Sequence, residues 1–462
     1  MLTLIRQAFT RQPFEFIEGE DLSEAEVITA RRTLKMHRRR VSVFFRNAQI
    51  LLAIAVGLKA GMYAVFVQQT FGVQAAAQLQ AVYLGTYFCL NIIMGVLADG
   101  AFGRRKVYML GVILFTGSYA LYGIGTWTSC IIAEICFGSA SAAVAGVLSV
   151  WMRNIIENTY YLRSVVSREE VDEALIATEA NDYCRKSNKQ VFGFRSIFML
   201  ATGTTGGFLA TSWDPMGVWF IATTVCLSLV GYVWWHMFYN IIPVRMHTKR
   251  GSLETIRGAW NALRKNPLIT SFVIIGLSFS AIVQVVKIAW VPIIEPVMQT
   301  HDIALWIATA LTLLSSVSGG VIVILFEKTK RYKRKEEDEQ TRFDFSLLRL
   351  TLVTVGVLMI GVRLSADMMT VGIVLGMFVL SGMFARIHAG SITSNTPAKS
   401  RRRFGTTMLS IYETGIAFVG LLSSLTVATL LKRFHWEVFD IVGLMGCVSV
   451  VCGFVIRMKF SN

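Results

Sequence analysis

Twelve apolar runs of roughly membrane-crossing length divide this chain, and they constrain its fold more than any other feature. A bilayer core is about 30 Å thick and takes about 20 helical residues to cross. The runs lie at about 48–68, 79–98, 107–125, 130–151, 196–210, 218–239, 269–292 (possible extension to 298), 304–326, 347–362, 369–387, 405–429 and 438–456. Backbone groups in lipid must bond internally, so each run predicts a helix. The expected fold class is an all-α membrane protein of twelve transmembrane helices. Composition agrees: 54% of the 462 residues are apolar and only 16% are charged. A soluble chain carries about 25% charged residues.

The net charge of +16 would suggest a nucleic-acid partner in a soluble protein. Its distribution gives another reason. With the N-terminus in the cytoplasm, 40 of the 45 Lys and Arg fall on inside segments, counting Arg349 and Arg386 at the inner ends of their spans. Arg363, Lys432 and Arg433 fall outside, and Lys59 and Lys287 lie within spans. This positive-inside bias predicts both termini in the cytoplasm and makes nucleic acid unnecessary as a partner. No short apolar core followed by a small-residue cleavage site opens the chain, so no cleavable signal is expected.

The expected domains are a cytosolic segment 1–47, a six-helix bundle 48–240, a linker 241–268, a second six-helix bundle 269–457 and a tail 458–462. Ser23-Glu24-Ala25-Glu26 reads as a capping box opening a helix toward Arg46. Its basic end, Met36 to Arg40, would meet anionic headgroups, or else the segment is a disordered tail. Loop 4–5, from Met152 to Arg195, has a second capping pattern at Ser167-Arg168-Glu169-Glu170 and predicts a cytosolic helix. In the linker, Leu253, Ile256, Trp260 and Leu263 recur at helical spacing, an amphipathic pattern. Seven cysteines include no C-x-x-C pair; six fall in apolar runs and Cys184 in a polar loop. They read as reduced packing residues.

After span two the chain reads Gly95-Val96-Leu97-Ala98-Asp99-Gly100-Ala101-Phe102-Gly103-Arg104-Arg105-Lys106. This resembles the loop 2–3 signature of the major facilitator superfamily, G-x-L-a-D-R-x-G-R-[RK]. The architecture of twelve spans in two halves is similar too. The resemblance implies a secondary transporter with two parallel six-helix halves rocking around a central site. It implies a gate in which Asp99 faces the start of span eleven near Gly405, with Gly95, Gly103, Arg104 and Arg105 completing the turn. One extra residue separates Asp99 from Gly103, and Gly100 stands where the family usually has Arg. The E-x-x-E-R stretch of oligopeptide transporters and the P-E-S-P-R signature of sugar porters are absent, and Gly203 to Gly207 lacks the proline of the drug-antiporter motif. No subfamily is identified.

Ionisable residues within spans are functional candidates because lipid penalises them. Lys59 stands roughly 16 Å into span one, with Tyr63 one turn further on the same face. Lys287 in span seven occupies nearly the matching position, three residues before Trp290. These four are the candidate substrate-binding residues, and two lysines favour an anionic solute. Glu134 in span four and Glu413 in span eleven are candidate proton carriers, one of them holding Lys59 in the empty state. Arg386 and His388 read as gate or topology residues, and His236 has no role. The six histidines form no paired metal or nucleophile motif, so neither an enzyme nor a cofactor is expected. The expected protein is thus a monomeric, proton-coupled transporter of a small organic solute in a bacterial-type inner (plasma) membrane. The alternatives are an exporter of cationic or lipophilic drugs acting through Glu134 and Glu413, or a membrane receptor or scaffold.

Overall fold

A computed structural model describes residues 24–100, 102–166, 173–212, 215–240, 256–258, 260–261, 267–327, 337–365, 367–395, 398–433 and 436–456. Among them, thirteen α-helices account for nearly every residue. They are α1 Glu24–Phe71, α2 Val73–Asp99, α3 Arg104–Tyr122, α4 Trp127–Val144, α5 Val147–Val166, α6 Glu173–Ser212 and α7 Pro215–Trp235. After a π-helical turn, His236–Asn240, come α8 Pro267–Thr300, α9 Leu305–Glu327, α10 Glu337–Leu364, α11 Asp367–Asn395, α12 Ala398–Arg433 and α13 Val438–Val455.

Each predicted apolar run falls on this helical framework, and among the described residues ten stretches are long and apolar enough to cross a membrane. The chain is a multi-pass membrane protein. The helices of runs three and five, α3 and α6, are not among the ten. α3 opens on Arg104-Arg105-Lys106, and the first half of α6 is polar. Run four also differs from expectation, for the helix breaks between α4 and α5 at Gly146. That residue has φ +66°, a left-handed conformation that a Cβ would strain. The capping patterns at Ser23 and at Ser167 to Glu170 and most of the linker pattern lie wholly or partly outside the described residues.

The helix expected to run toward Arg46 does not stop there. α1 continues through span one for 48 residues, about 72 Å at 1.5 Å per residue. Its first half packs on α5 and α6. The Arg38 guanidinium lies 4.3 Å from the Tyr160 ring centroid, Ser42 and Ser187 share a 2.8 Å hydrogen bond, and Arg163 pairs with Glu179 at 3.8 Å. On α6, Ile176, Ala180, Cys184, Ser187 and Val191 are buried at three- and four-residue spacing. Cys184 therefore sits on a packed helical stripe rather than in a polar loop.

Two buried cores form. One joins α1 to α7, from Val41 to Met237. The other joins α8 to α13, from Phe272 to Val442, with Val65 of α1 and Ala77 of α2 added. Small residues bring the helices close, as membrane packing requires. A Cβ at Gly61 of α1 would collide with the Gly203 carbonyl of α6, and one at Gly382 of α11 with the Ser316 carbonyl of α9. The places where the cores meet include three seams. On α2 and α12, Phe88 and Phe418 rings lie 5.2 Å apart. On α6 and α9, Phe208 and Trp306 lie 5.5 Å apart. On α1 and α8, Gln68 donates to the Ile288 carbonyl at 3.0 Å.

Candidate substrate and coupling site

Lys59 is 8% exposed and Glu134 is 1% exposed. The helical turns of α1, α3 and α4 converge there. Lys59 Nζ lies 3.6 Å from Glu134 Oε1 and donates to Tyr122 Oη at 2.8 Å. It also stands 3.4 Å from the Phe137 ring centroid and 4.4 Å from that of Tyr63. The ammonium is thus held by one carboxylate, one hydroxyl and the negative faces of aromatic rings. Tyr122 stacks on Trp219 of α7 at 4.6 Å, which fixes the cage wall.

Of the two acids considered for Lys59, Glu134 is the one beside it. Tyr63 lies on the cage as the turn spacing predicts. Tyr122, Phe137 and Trp219 were not anticipated. Phe137 carried a usable signal, since it follows Glu134 by three residues on one face of α4. Tyr122 and Trp219 carried none, because their approach depends on how α3 and α7 pack.

Glu413 has a different partner, accepting a short hydrogen bond from the Tyr87 hydroxyl across the α2–α12 seam. One turn along α2, buried Asn91 donates to the Ser410 carbonyl at 2.9 Å and to Thr414 Oγ1 at 3.4 Å. Beside Glu413, Tyr412 bonds His388 Nδ1 at 2.9 Å, and His388 Nε2 lies 2.7 Å from the Phe272 carbonyl. His388 is therefore a buried junction of α8, α11 and α12. His236 makes ring contacts with Phe44 and Tyr232 at 5.7 and 4.4 Å. Arg386 lies against the Phe192 ring at 5.3 Å.

Lys287 does not sit level with Lys59. Gln68 meets Ile288, so Lys59 stands nine residues below that contact and Lys287 one. At the helical rise, the lysines differ in level by about 12 Å. The Lys287 side chain is exposed. Trp290 is instead buried in an apolar cleft with Val374, Met377 and Val442.

At the α2–α3 turn, Asp99 Oδ1 accepts from Arg104 Nη2 at 2.6 Å and from Nε at 3.1 Å. Gly103 has φ +84° and donates its amide to the Leu97 carbonyl at 3.1 Å, closing the turn. Gly95 is buried where α2 is packed, and Arg105 is half-buried. The expected apposition of Asp99 to Gly405 falls on a residue whose surroundings lie outside the described side chains.

No protein-family model and no curated protein matches the sequence. Solved structures do. The POT family transporter PepTSo superposes with a TM-score of 0.64 at 12% identity, covering 90% of this chain and 97% of that one. The nucleoside transporter NupG gives 0.62 at 10%, covering 90% and 98%. The human organic anion transporter MFSD10 (TETRAN) gives 0.61 at 10%, covering 91% and 99%. The chain shares the fold of these transporters. At these identities the likeness concerns backbone architecture. The Lys59 cage within this fold rests on this chain's own residues.

Proposed function

We propose that the protein is a secondary active transporter, moving a small organic solute by alternating access and driven by protons. The observation that carries this reading is the buried Lys59–Glu134 pair inside a transporter-type fold. A buried ion pair is poor evidence of stability, because desolvation offsets much of the attraction. Its retention in a membrane core is a reason to look for function.

The proposed cycle uses charge competition. In the empty state Glu134 holds Lys59. A proton arriving on Glu134 removes its charge and frees the ammonium. The solute then engages Lys59 and Tyr63, so proton entry and solute entry are linked. Glu413 releases Tyr87 on protonation and loosens the α2–α12 seam. Lys287 is proposed as a further substrate-facing residue, while Trp290 packs behind it. Residues 48–240 and 269–457 are proposed as the rocking halves, with 241–268 as the linker. The Asp99–Arg104 turn is proposed as part of a cytoplasmic gate, with both termini on that side of a plasma membrane.

With Glu134 committed to Lys59 and Glu413 to Tyr87, a cationic drug would first have to displace a partner from either acid. The test is flux in reconstituted vesicles with and without an imposed pH gradient. Gradient-driven accumulation supports the reading, and equal flux in protein-free vesicles overturns it.

A further inference from the structure

Two hydrogen-bond donors on successive turns of α8 have no acceptor among the described residues. Gln284 is 6% exposed, and its side-chain nitrogen is buried without a partner. An unmatched buried donor costs about 1–3 kcal/mol, so such groups are normally satisfied. One turn on, Lys287 has no carboxylate, carbonyl or ring contact among the described residues, unlike Lys59 in its cage. Its side chain is nonetheless exposed, one helical turn from the buried Gln284 amide.

The two unmatched groups are both donors, and one carries a full positive charge. What is missing beside them is an acceptor-rich group of negative charge. Lys59, about 12 Å away in level, is already neutralised by Glu134 and cannot supply the same demand in the empty state.

We propose that Gln284 and Lys287 form the anion-recognition subsite of the central cavity, and that the transported solute is a small organic anion. Its carboxylate or phosphate would sit between the Lys287 ammonium and the Gln284 amide nitrogen. This rests on the transporter reading above and adds the substrate class to it. The anion meets Lys287 first, and Lys59 becomes available only after Glu134 is protonated.

The test is thermal stabilisation of the purified full-length protein by three anions, succinate, benzoate and glycerol 3-phosphate. Glycerol and tetramethylammonium serve as neutral and cationic controls. At least one anion is expected to raise the unfolding temperature saturably. Lys287→Gln is expected to weaken that response about tenfold or more, the scale of one charge-assisted hydrogen bond. Lys287→Arg is expected to restore it in part, which a merely structural lysine would not require. Gln284→Leu, which removes the unmatched donor, is expected to weaken it less. No stabilisation by any of the three anions overturns the proposal. So does an anion response unchanged in Lys287→Gln. If a neutral or cationic compound instead binds and crosses vesicles independently of Lys287, the anion subsite fails and the transporter reading stands. If an anion binds through Lys287 but never crosses, the transporter reading fails and the subsite stands.

Discussion

Lys59 Nζ lies 3.6 Å from Glu134 Oε1, with both side chains withdrawn from solvent and Tyr122 and Phe137 closing the remaining approaches. Neither charge has water to turn to, so each depends on the other. Removing one partner is expected to destabilise the protein by about 3–5 kcal/mol, whereas replacing both by neutral groups costs less. Thermal unfolding of Lys59→Met, Glu134→Gln and the double variant checks this. The double variant should be more stable than Lys59→Met, the single variant that leaves a buried carboxylate without its cation. A double variant less stable than both singles would mean the pair is not coupled in this way.

Asp99 holds Arg104 through two hydrogen bonds at the α2–α3 turn. Asp99→Asn keeps the shape and removes the charge. It is expected to slow transport while leaving solute affinity within several-fold. Initial rates and affinity measured in the same vesicles separate the two quantities. An unchanged rate would remove the turn from the gate.

Tyr87 and Glu413 tie α2 to α12. Tyr87→Phe removes the hydroxyl and little else. It is expected to raise the reactivity of a cysteine placed at Thr414, next to the seam, toward a water-soluble thiol reagent. No change in reactivity would mean that Asn91 and the Ser410 carbonyl hold the seam without this bond.

Cys184 lies outside the membrane spans, and burial pushes its thiol up from the ordinary 9.0 to about 12. The reactive species is the thiolate, and a raised pKa leaves almost none at neutral pH. Cytoplasmic maleimide is therefore expected to label Cys184 slowly at pH 7, with the rate rising as pH increases toward 12. A cysteine placed at exposed Tyr161 should label rapidly from the same side. Labelling of the Tyr161 site only from the opposite side would overturn the proposed orientation.

Much of this architecture was legible in the sequence because lipid is a severe solvent. Apolar runs become helices, and the chain's basic residues divide sharply between loop sets. The same penalty singled out Lys59, Glu134 and Glu413 as residues needing partners. Depth alone could not choose between the acids. Glu134 meets Lys59 because α1 and α4 present those faces to one another, while Glu413 faces α2. The break at Gly146 was hidden inside an unbroken apolar run. Cys184 looked solvated because polar residues outnumber the buried stripe around it. Lys287 seemed level with Lys59 because run boundaries fix depth only to within several residues, and the Gln68–Ile288 contact sets the register.

The central claim is that the coupling proton travels through Glu134. It is tested most directly by gradient-driven accumulation and solute exchange measured in the same vesicles containing Glu134→Gln. A solute that binds the wild-type protein serves as the probe. Wild-type protein should accumulate it against a concentration gradient when an inward proton gradient is imposed. Glu134→Gln should retain exchange and lose accumulation, since its neutral side chain leaves Lys59 permanently released. Accumulation by Glu134→Gln equal to that of wild type would contradict the account.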